Sequence, residues 1–239
     1  LLLGAALGTV NAVLVSVVGL QPFISTLVLM LAGRGLAKVI TGGQNTAASN
    51  GTFRWIANGY VLGIPVVFVL AVLIVILVGL LVRRSALGLM IEAIGMDPQA
   101  ARLAGVNRQG LLFAVYIASG VLAAVGGIFA TASVMTVDVS NTGYQLEMDA
   151  ILAVVIGGTS LAGGKFNITG AAIGALLIAT LDKTVVFLGI SSSATPAFKA
   201  IVIIALCLLQ SERVRALFRA RRAKAGSATH DAPKEAVAA

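Results

Sequence analysis

The sequence has few charged residues, one cysteine and one histidine. Asp, Glu, Lys and Arg make up 11% of its 239 residues and hydrophobic residues 59%, whereas about a quarter of a soluble domain is charged. Cys207 has no partner for an internal disulfide. His230 is the only histidine, so we expect no metal site, no cofactor and no nucleophile–base pair for catalysis. The mean hydropathy of +1.03 indicates a polytopic membrane protein. Because no nucleophile–base pair can be assembled, we expect that the chain is not an enzyme.

The charges that are present lie between or after the apolar runs. This placement is typical of membrane proteins, because a charge at the bilayer centre costs about 3 kcal/mol or more. The net charge of +8 is therefore interpreted through membrane topology. We expect contact with membrane lipid and no nucleic-acid partner.

Apolar runs divide the chain into about seven candidate spans. A span needs about 20 apolar residues, and five runs meet this requirement: 1–20, 22–40, 61–82, 111–132 and 168–190. The runs 149–163 and 197–210 are shorter, and on length alone either might be re-entrant.

The basic residues decide between these alternatives. Lys and Arg beside spans prefer the cytoplasm, and a dense basic cluster at 213–224 follows the last run. If every run spans, 83–110 and 164–167 lie inside with this cluster, and 41–60 and 133–148 lie outside. A re-entrant 149–163 would force a basic segment outside.

We therefore predict an all-α, polytopic membrane helical bundle over residues 1–210. Residues 211–239 are predicted to form a cytoplasmic tail, first basic and then disordered. The chain begins in an apolar run without an initiator Met or a basic leader. We expect that it starts inside a membrane helix and that N-terminal helices are missing.

The segment 85–106 carries the signals of a short capped helix. Asp97 is the predicted N-cap, Pro98 the first helical residue and Gly105 the left-handed stop. A second helical piece precedes it and is predicted to be separated from it at Gly95. Isolated helices this short are unstable in water, so the segment either lies on the membrane surface or docks on a partner.

Three stretches resemble one protein family. "SALGLMIEAIGMDPQAARLAGVN" resembles the cytoplasmic loop of permease subunits of ribose-type bacterial ABC importers. "DAILAVVIGGTSLAGGKFNITGAAIGALLI" and "GTVNAVLVSVVGLQPFISTLVLMLAGRGLA" are similar to further runs of that family, so the likeness covers residues 4–215. Within the family, "PFISTLVLMLAGRGLAKVIT" and "ALGLMIEAIG" look most like galactofuranose permeases.

The resemblance implies a type II ABC importer-like permease in the bacterial inner membrane. Residues 85–106 would be the coupling segment to a cytoplasmic ABC ATPase, through Glu92, Gly95, Asp97, Ala100, Ala101, Arg102 and Gly105. Ala100 and Ala101 would let the helix enter a groove of the ATPase. A second permease copy or a paralogue would complete the pore. A periplasmic sugar-binding protein would dock outside, where Asp138, Glu147 and Asp149 lie.

The implied function is import of a monosaccharide, ribose-like or galactofuranose-like. The alternatives are an ABC permease for branched-chain amino acids or another small solute, an ion-coupled secondary transporter, and a membrane scaffold without transport. "GGTSLAGGKF" lacks the Gly and Ser/Thr positions of a phosphate loop. ATP hydrolysis is therefore expected on the partner.

Asn11, Ser25, Thr26 and Arg34 are candidates for the translocation path. Arg34 lies twelve residues after Pro22, about 18 Å along a helix, although it might instead snorkel outwards beside Lys38. Asp182 and Lys183 predict that the membrane helix ends near 181 and that a short outer helix follows. We interpret them as a local pair or an outer-mouth feature rather than as a substrate site.

"GAALG" at 4–8 and "GAAIG" at 170–174 are small-xxx-small patterns. Such patterns let two membrane helices approach closely. We interpret both as packing devices.

Overall fold

The computed structural model describes residues 1–47, 55, 59–61, 63–160, 163–189 and 196–201. The main elements within them are helices: α1 Leu2–Ser16, α2 Pro22–Thr41, α3 Val66–Arg84, α4 Ala86–Met96, α5 Pro98–Leu103, α6 Arg108–Val134, α7 Leu146–Ile156 and α8 Ile168–Phe187. Four two-residue strands accompany them: β1 Thr46–Ala47, β2 Tyr60–Val61, β3 Ile64–Pro65 and β4 Thr136–Val137. Residues 196–201 are also helical. The predicted all-α class is confirmed.

Four of the predicted spans are confirmed as long apolar helices. Within the described residues, α2, α3, α6 and α8 are long and apolar enough to cross a membrane. α3 begins at Val66, later than the predicted start at 61, because a β2–β3 hairpin occupies the preceding residues. Gly63 allows this turn at φ +80°.

Two of the predicted spans are shorter as helices than expected. α1 has 15 residues and α7 has 11, about 23 and 16 Å against a hydrocarbon core of about 30 Å. α7 covers only part of the predicted span 149–163, because it ends at Ile156 and Gly158 follows at φ +86°. Most of the predicted run 197–210, and all of the tail 211–239, lie outside the described residues.

α8 continues past the predicted break at 181 and ends at Phe187. Asp182 interrupts the apolar pattern, but it does not end the helix. Its carboxylate lies 2.7 Å from the ammonium group of Lys199. The charge is therefore compensated by Lys199 of another segment, which excludes the local-pair interpretation and leaves that of an outer-mouth feature.

Contacts between loops confirm which loops share a side. The pairing of β1 with β4 joins segment 41–60 to segment 133–148. On the other side, the Arg83 guanidinium donates to the Thr169 hydroxyl at 3.2 Å, and Gly95 lies against Gly164. These two groups of loops are called the outer and inner loops below, following the charge rule.

The chain crosses between these groups at 146–167, although only its first part is helical. Glu147 lies beside Arg34 in the outer group. Gly163 lies so close to the carbonyl of Gly95, in the inner group, that a Cβ on Gly163 would collide with it. The crossing is thus made by a half-length helix and a glycine-rich stretch whose described residues, 157–160 and 163–167, are not helical.

Glycines bring two pairs of helices into close contact. A Cβ added to Gly4 would collide with the carbonyl oxygen of Gly120, which joins α1 to α6. A Cβ on Gly174 would likewise collide with the carbonyl of Ala153, which joins α8 to α7. Both small-residue patterns are confirmed as packing devices.

Candidate functional site: the inner helix pair and the outer ion pairs

The inner segment 85–106 forms two consecutive helices, α4 and α5. The Ser85 hydroxyl caps α4 by accepting from the Leu87 N–H at 3.3 Å. Gly95 lies inside α4, so the predicted separation at Gly95 is wrong. The break lies at Asp97, whose backbone is extended at φ −149° and ψ 103°. The role of Gly95 is instead close packing, because a Cβ there would lie 3.0 Å from the Gly164 nitrogen.

The predicted caps of α5 are confirmed. Asp97 Oδ1 accepts from the N–H groups of Gln99 at 2.8 Å and Ala100 at 3.1 Å, which satisfies two of the free donors of the first turn. Pro98 begins the helix. Gly105 ends it at φ +83°. Local signals therefore determine where this six-residue helix begins and ends.

The exposed surface of this helix pair differs from the predicted one. Ala101 is 5% exposed and buried within the chain, so of the two alanines only Ala100 faces outwards. Leu103 is 90% exposed and Met96 66%. Ala100 and Leu103 are three residues apart and share a face. Leu103 could have been predicted as part of the exposed face, because it is an apolar residue three positions after Ala100 on a short loop helix.

Glu92 and Arg102 line two different cavities. Glu92 lies with Arg83 and Phe166 around a cavity of about 310 Å³. Arg102 lines a larger cleft of about 680 Å³ between α5 and the α1–α2 junction. Neither side chain makes a hydrogen bond or ion pair with another residue in the described part of the chain.

Arg34 contacts the outer loop. Its guanidinium lies 3.8 Å from the Glu147 carboxylate and 5.7 Å from the centre of the Tyr144 ring, and it donates to the Gly143 carbonyl at 3.4 Å. Arg34 therefore links α2 to the start of α7. This position beside the outer loop fits outward snorkelling better than a place deep in the translocation path. The contacts of Arg34 with Glu147, Tyr144 and Gly143 were not predicted.

Asn11 and Ser25 bond two helices to each other. The Ser25 hydroxyl is 1% exposed and donates to Asn11 Oδ1 at 3.0 Å, which joins α1 to α2. The Thr26 hydroxyl donates back to the Pro22 carbonyl at 3.0 Å. A role for these residues in a translocation path stays a prediction.

An ion cluster that sequence reasoning missed lies at the outer ends of α7 and α8. Lys199 Nζ lies 2.9 Å from Asp149 Oδ2 and 2.7 Å from Asp182 Oδ1, and its side chain is 15% exposed. The two carboxylates come from segments distant in sequence. A lysine inside the apolar run "AFKAIVIIALCLLQ" is the signal that would have marked it.

The outer loop also contains a tight turn at Asp138. The side chain of Asn141 donates to the Asp138 carboxylate at 2.8 Å. The Ser140 N–H donates to the same carboxylate at 2.9 Å. These hydrogen bonds lower the pKa of Asp138 below its usual value. The carboxylate therefore stays charged and holds the turn.

The helices and the paired loops define a multi-pass membrane protein. The family model described as "Branched-chain amino acid transport system / permease component" matches residues 1–209. The chain belongs to this family, and it is a multi-pass protein of the inner membrane.

Curated relatives narrow the comparison to sugar permeases. The fructose import permease protein FruF of Bifidobacterium longum is 58% identical over 91% of this chain and 62% of its own length. The galactofuranose transporter permease protein YtfT of Escherichia coli is 40% identical over 92% of this chain and 65% of its own.

The ribose import permease protein RbsC of Escherichia coli is 38% identical over 89% of this chain and 67% of its own. The resemblance to sugar importer permeases is confirmed. The chain thus spans about two thirds of the length of these relatives. No solved structure matches it.

Proposed function

We propose that this chain belongs to the membrane-spanning permease of an ABC importer and carries a monosaccharide across the inner membrane. Three relatives named for fructose, galactofuranose and ribose support a sugar as the substrate. Fructose is the first candidate because the fructose permease shares 58% identity with this chain. The permease would do no covalent chemistry itself.

The observation that supports the importer mechanism best is the capped helix pair α4–α5. It follows α3 directly and precedes α6, so displacement of α5 would be transmitted to both membrane helices. It also presents Leu103, which is 90% exposed. A helix that docks in a groove of a partner would use an exposed apolar side chain of this kind.

The partner on this inner surface would be a cytoplasmic ABC ATPase. Ala100 and Leu103 would enter its groove, with Met96 beside them. Glu92, Gly95, Asp97, Arg102 and Gly105 would shape or border the contact. ATP-driven closure of the ATPase would then move α5 and alternate access to the path.

Two further partners complete the proposal. A second permease copy or a paralogue would close the pore beside this chain. A periplasmic sugar-binding protein would dock on the outer loop, where Asp138 and Glu147 lie and Arg34 fixes the start of α7. Substrate choice would reside largely in that protein.

Transport is tested in vesicles carrying the permease assembled with its ATPase and binding protein. Fructose is expected to stimulate ATP hydrolysis and to accumulate inside only when ATP is present. Galactofuranose, ribose and leucine serve as comparison substrates. Uptake driven by an ion gradient without ATP would contradict the importer mechanism, and stimulation by leucine alone would contradict the sugar assignment.

Coupling is tested separately with Leu103→Glu. This change should abolish ATPase binding and sugar-stimulated hydrolysis, because a charge would replace an apolar contact at the interface. The fold should be unaffected, since Leu103 is 90% exposed. Leu103→Met is the matched control and should retain at least half of the stimulated rate.

Equal activity of Leu103→Glu and Leu103→Met would refute the docking role of α5. The change Asp97→Pro combined with Gly105→Val removes the helix boundaries altogether. Stimulated hydrolysis that survives this double change would refute coupling through the whole segment.

A further inference from the structure

A cleft at the inner ends of the membrane helices has a basic and partly apolar lining. Its volume is about 680 Å³. The end of α1, the start of α2, helix α5 and the start of α6 surround it. Because three apolar helices end here, the cleft lies where the acyl region meets the aqueous phase.

The charge of the cleft is all of one sign. Arg102 and Arg108 line it, and no Asp or Glu does. Both arginines are exposed, and neither makes an ion pair or side-chain hydrogen bond with any described residue. Two unpaired guanidinium groups at one opening suit a doubly hydrogen-bonding anion such as a phosphate.

The remaining lining suits a lipid. Val15, Leu20 and Leu112 supply apolar surface, while Gln21, Gln99 and Gln109 supply amide groups. The N-cap residue of α2, Gln21, makes no side-chain cap, so the free N–H groups of that helix start add positive potential at the same opening. Acyl chains and a phosphate headgroup would each meet matching chemistry.

We propose that this cleft binds the headgroup of an anionic phospholipid, with Arg102 and Arg108 contacting its phosphate. Basic pockets between membrane helices on the cytoplasmic side bind anionic headgroups in this way. Arg102 lies on α5, next to the exposed Leu103. A bound lipid would therefore fix the orientation of α5 relative to the membrane.

The inference is independent of the proposed transport function, because lipid binding is measured on the purified permease alone. Native mass spectrometry would count lipids retained after addition of phosphatidylglycerol or, in a separate sample, phosphatidylcholine. Phosphatidylglycerol should bind at one site and phosphatidylcholine should not. Arg102→Gln with Arg108→Gln should weaken phosphatidylglycerol binding about thirtyfold, as expected for the loss of two arginines beside a phosphate.

Arg83→Gln with Arg84→Gln is the matched control, since it removes the same charge from the inner surface outside this cleft. It should leave the affinity within about twofold. Arg102→Lys with Arg108→Lys keeps the charge but loses the planar guanidinium groups, so its affinity should lie between those of the native protein and the Gln pair. Unchanged melting of each variant would show that the fold is intact.

Three results would overturn the proposal. Equal loss of binding in the Arg83 and Arg84 control would indicate diffuse attraction to the whole surface. Retention of phosphatidylcholine equal to that of phosphatidylglycerol would indicate a site that recognises only the acyl chains. Displacement of phosphatidylglycerol by millimolar inorganic phosphate would indicate a site for the free anion.

Discussion

Asp97 has a well-defined role at the scale of the single residue. Its carboxylate accepts two backbone N–H groups at the start of α5, and α5 has only six residues. A helix this short has little stability of its own. The cap therefore accounts for a large part of what keeps α5 helical.

Asp97→Ala should destabilise α5 locally by about 1 kcal/mol, because the two N–H groups lose their acceptor. Hydrogen exchange of the amides at 99–103 should accelerate about fivefold. Asp97→Asn keeps an acceptor oxygen and should exchange like the native protein. If Asn behaves like Ala, the negative charge and not the cap is the stabilising feature.

At the scale of the element, the contact of α1 with α6 depends on glycine. Gly4 and Gly8 lie opposite Gly120 and Tyr116, with no room for an added Cβ. Lipid tails are as apolar as the helix surfaces, so the hydrophobic effect does not drive helices together within a membrane. Close van der Waals packing at the glycines stabilises the contact instead. A single methyl group at the contact is therefore enough to separate the helices.

Gly120→Ala should destabilise the protein by about 1 to 3 kcal/mol, because its Cβ would collide with the carbonyl of Gly4. Gly126→Ala is a matched control in the same helix, where an added Cβ meets nothing within 4 Å. Thermal unfolding in detergent should show a midpoint lowered by several degrees for the first variant only. Equal midpoints would contradict tight packing at Gly120.

At the scale of the whole molecule, the two ends of the structure are held differently. The inner loops meet through glycines and hydrogen bonds, as at Gly95 and Gly164. The outer end has the β1–β4 pairing and, in addition, ion pairs between helices, with Arg34 on Glu147 and Lys199 between Asp149 and Asp182. The cluster around Lys199 is the more protected of these ion pairs.

Lys199→Met should destabilise the protein by about 1 to 3 kcal/mol, because two partly shielded carboxylates would face each other without a cation. Adding Asp149→Asn should recover part of this loss, as a double-mutant cycle measured by thermal unfolding would reveal. Lys183→Met, which has no ion pair among the described residues, is the control. Additive effects of the two changes would contradict coupling within the cluster.

The sequence predicted the helices more completely than the candidate site. The bounds of α2 and α6 and the caps of α5 depend on neighbours within one or two turns, so they are visible in a single chain. The early end of α7 was not visible, because its apolar run continues past Ile156 while the backbone turns at Gly158. Ala101 was predicted to face a partner, whereas it is buried within its own chain. This burial depends on how α5 packs against the other helices, which the local sequence does not reveal.

The membrane class, the relative sides of the loops and the boundaries of α5 could all be predicted from the amino-acid sequence. These follow from apolar run length, the placement of charge and short-range capping, all of which act locally along the chain. The position of Lys199 between Asp149 and Asp182, the contact of Arg34 with Glu147 and the outward face of Leu103 depend on how the helices pack. Such contacts join residues far apart in sequence, so they exist only once the helices have packed.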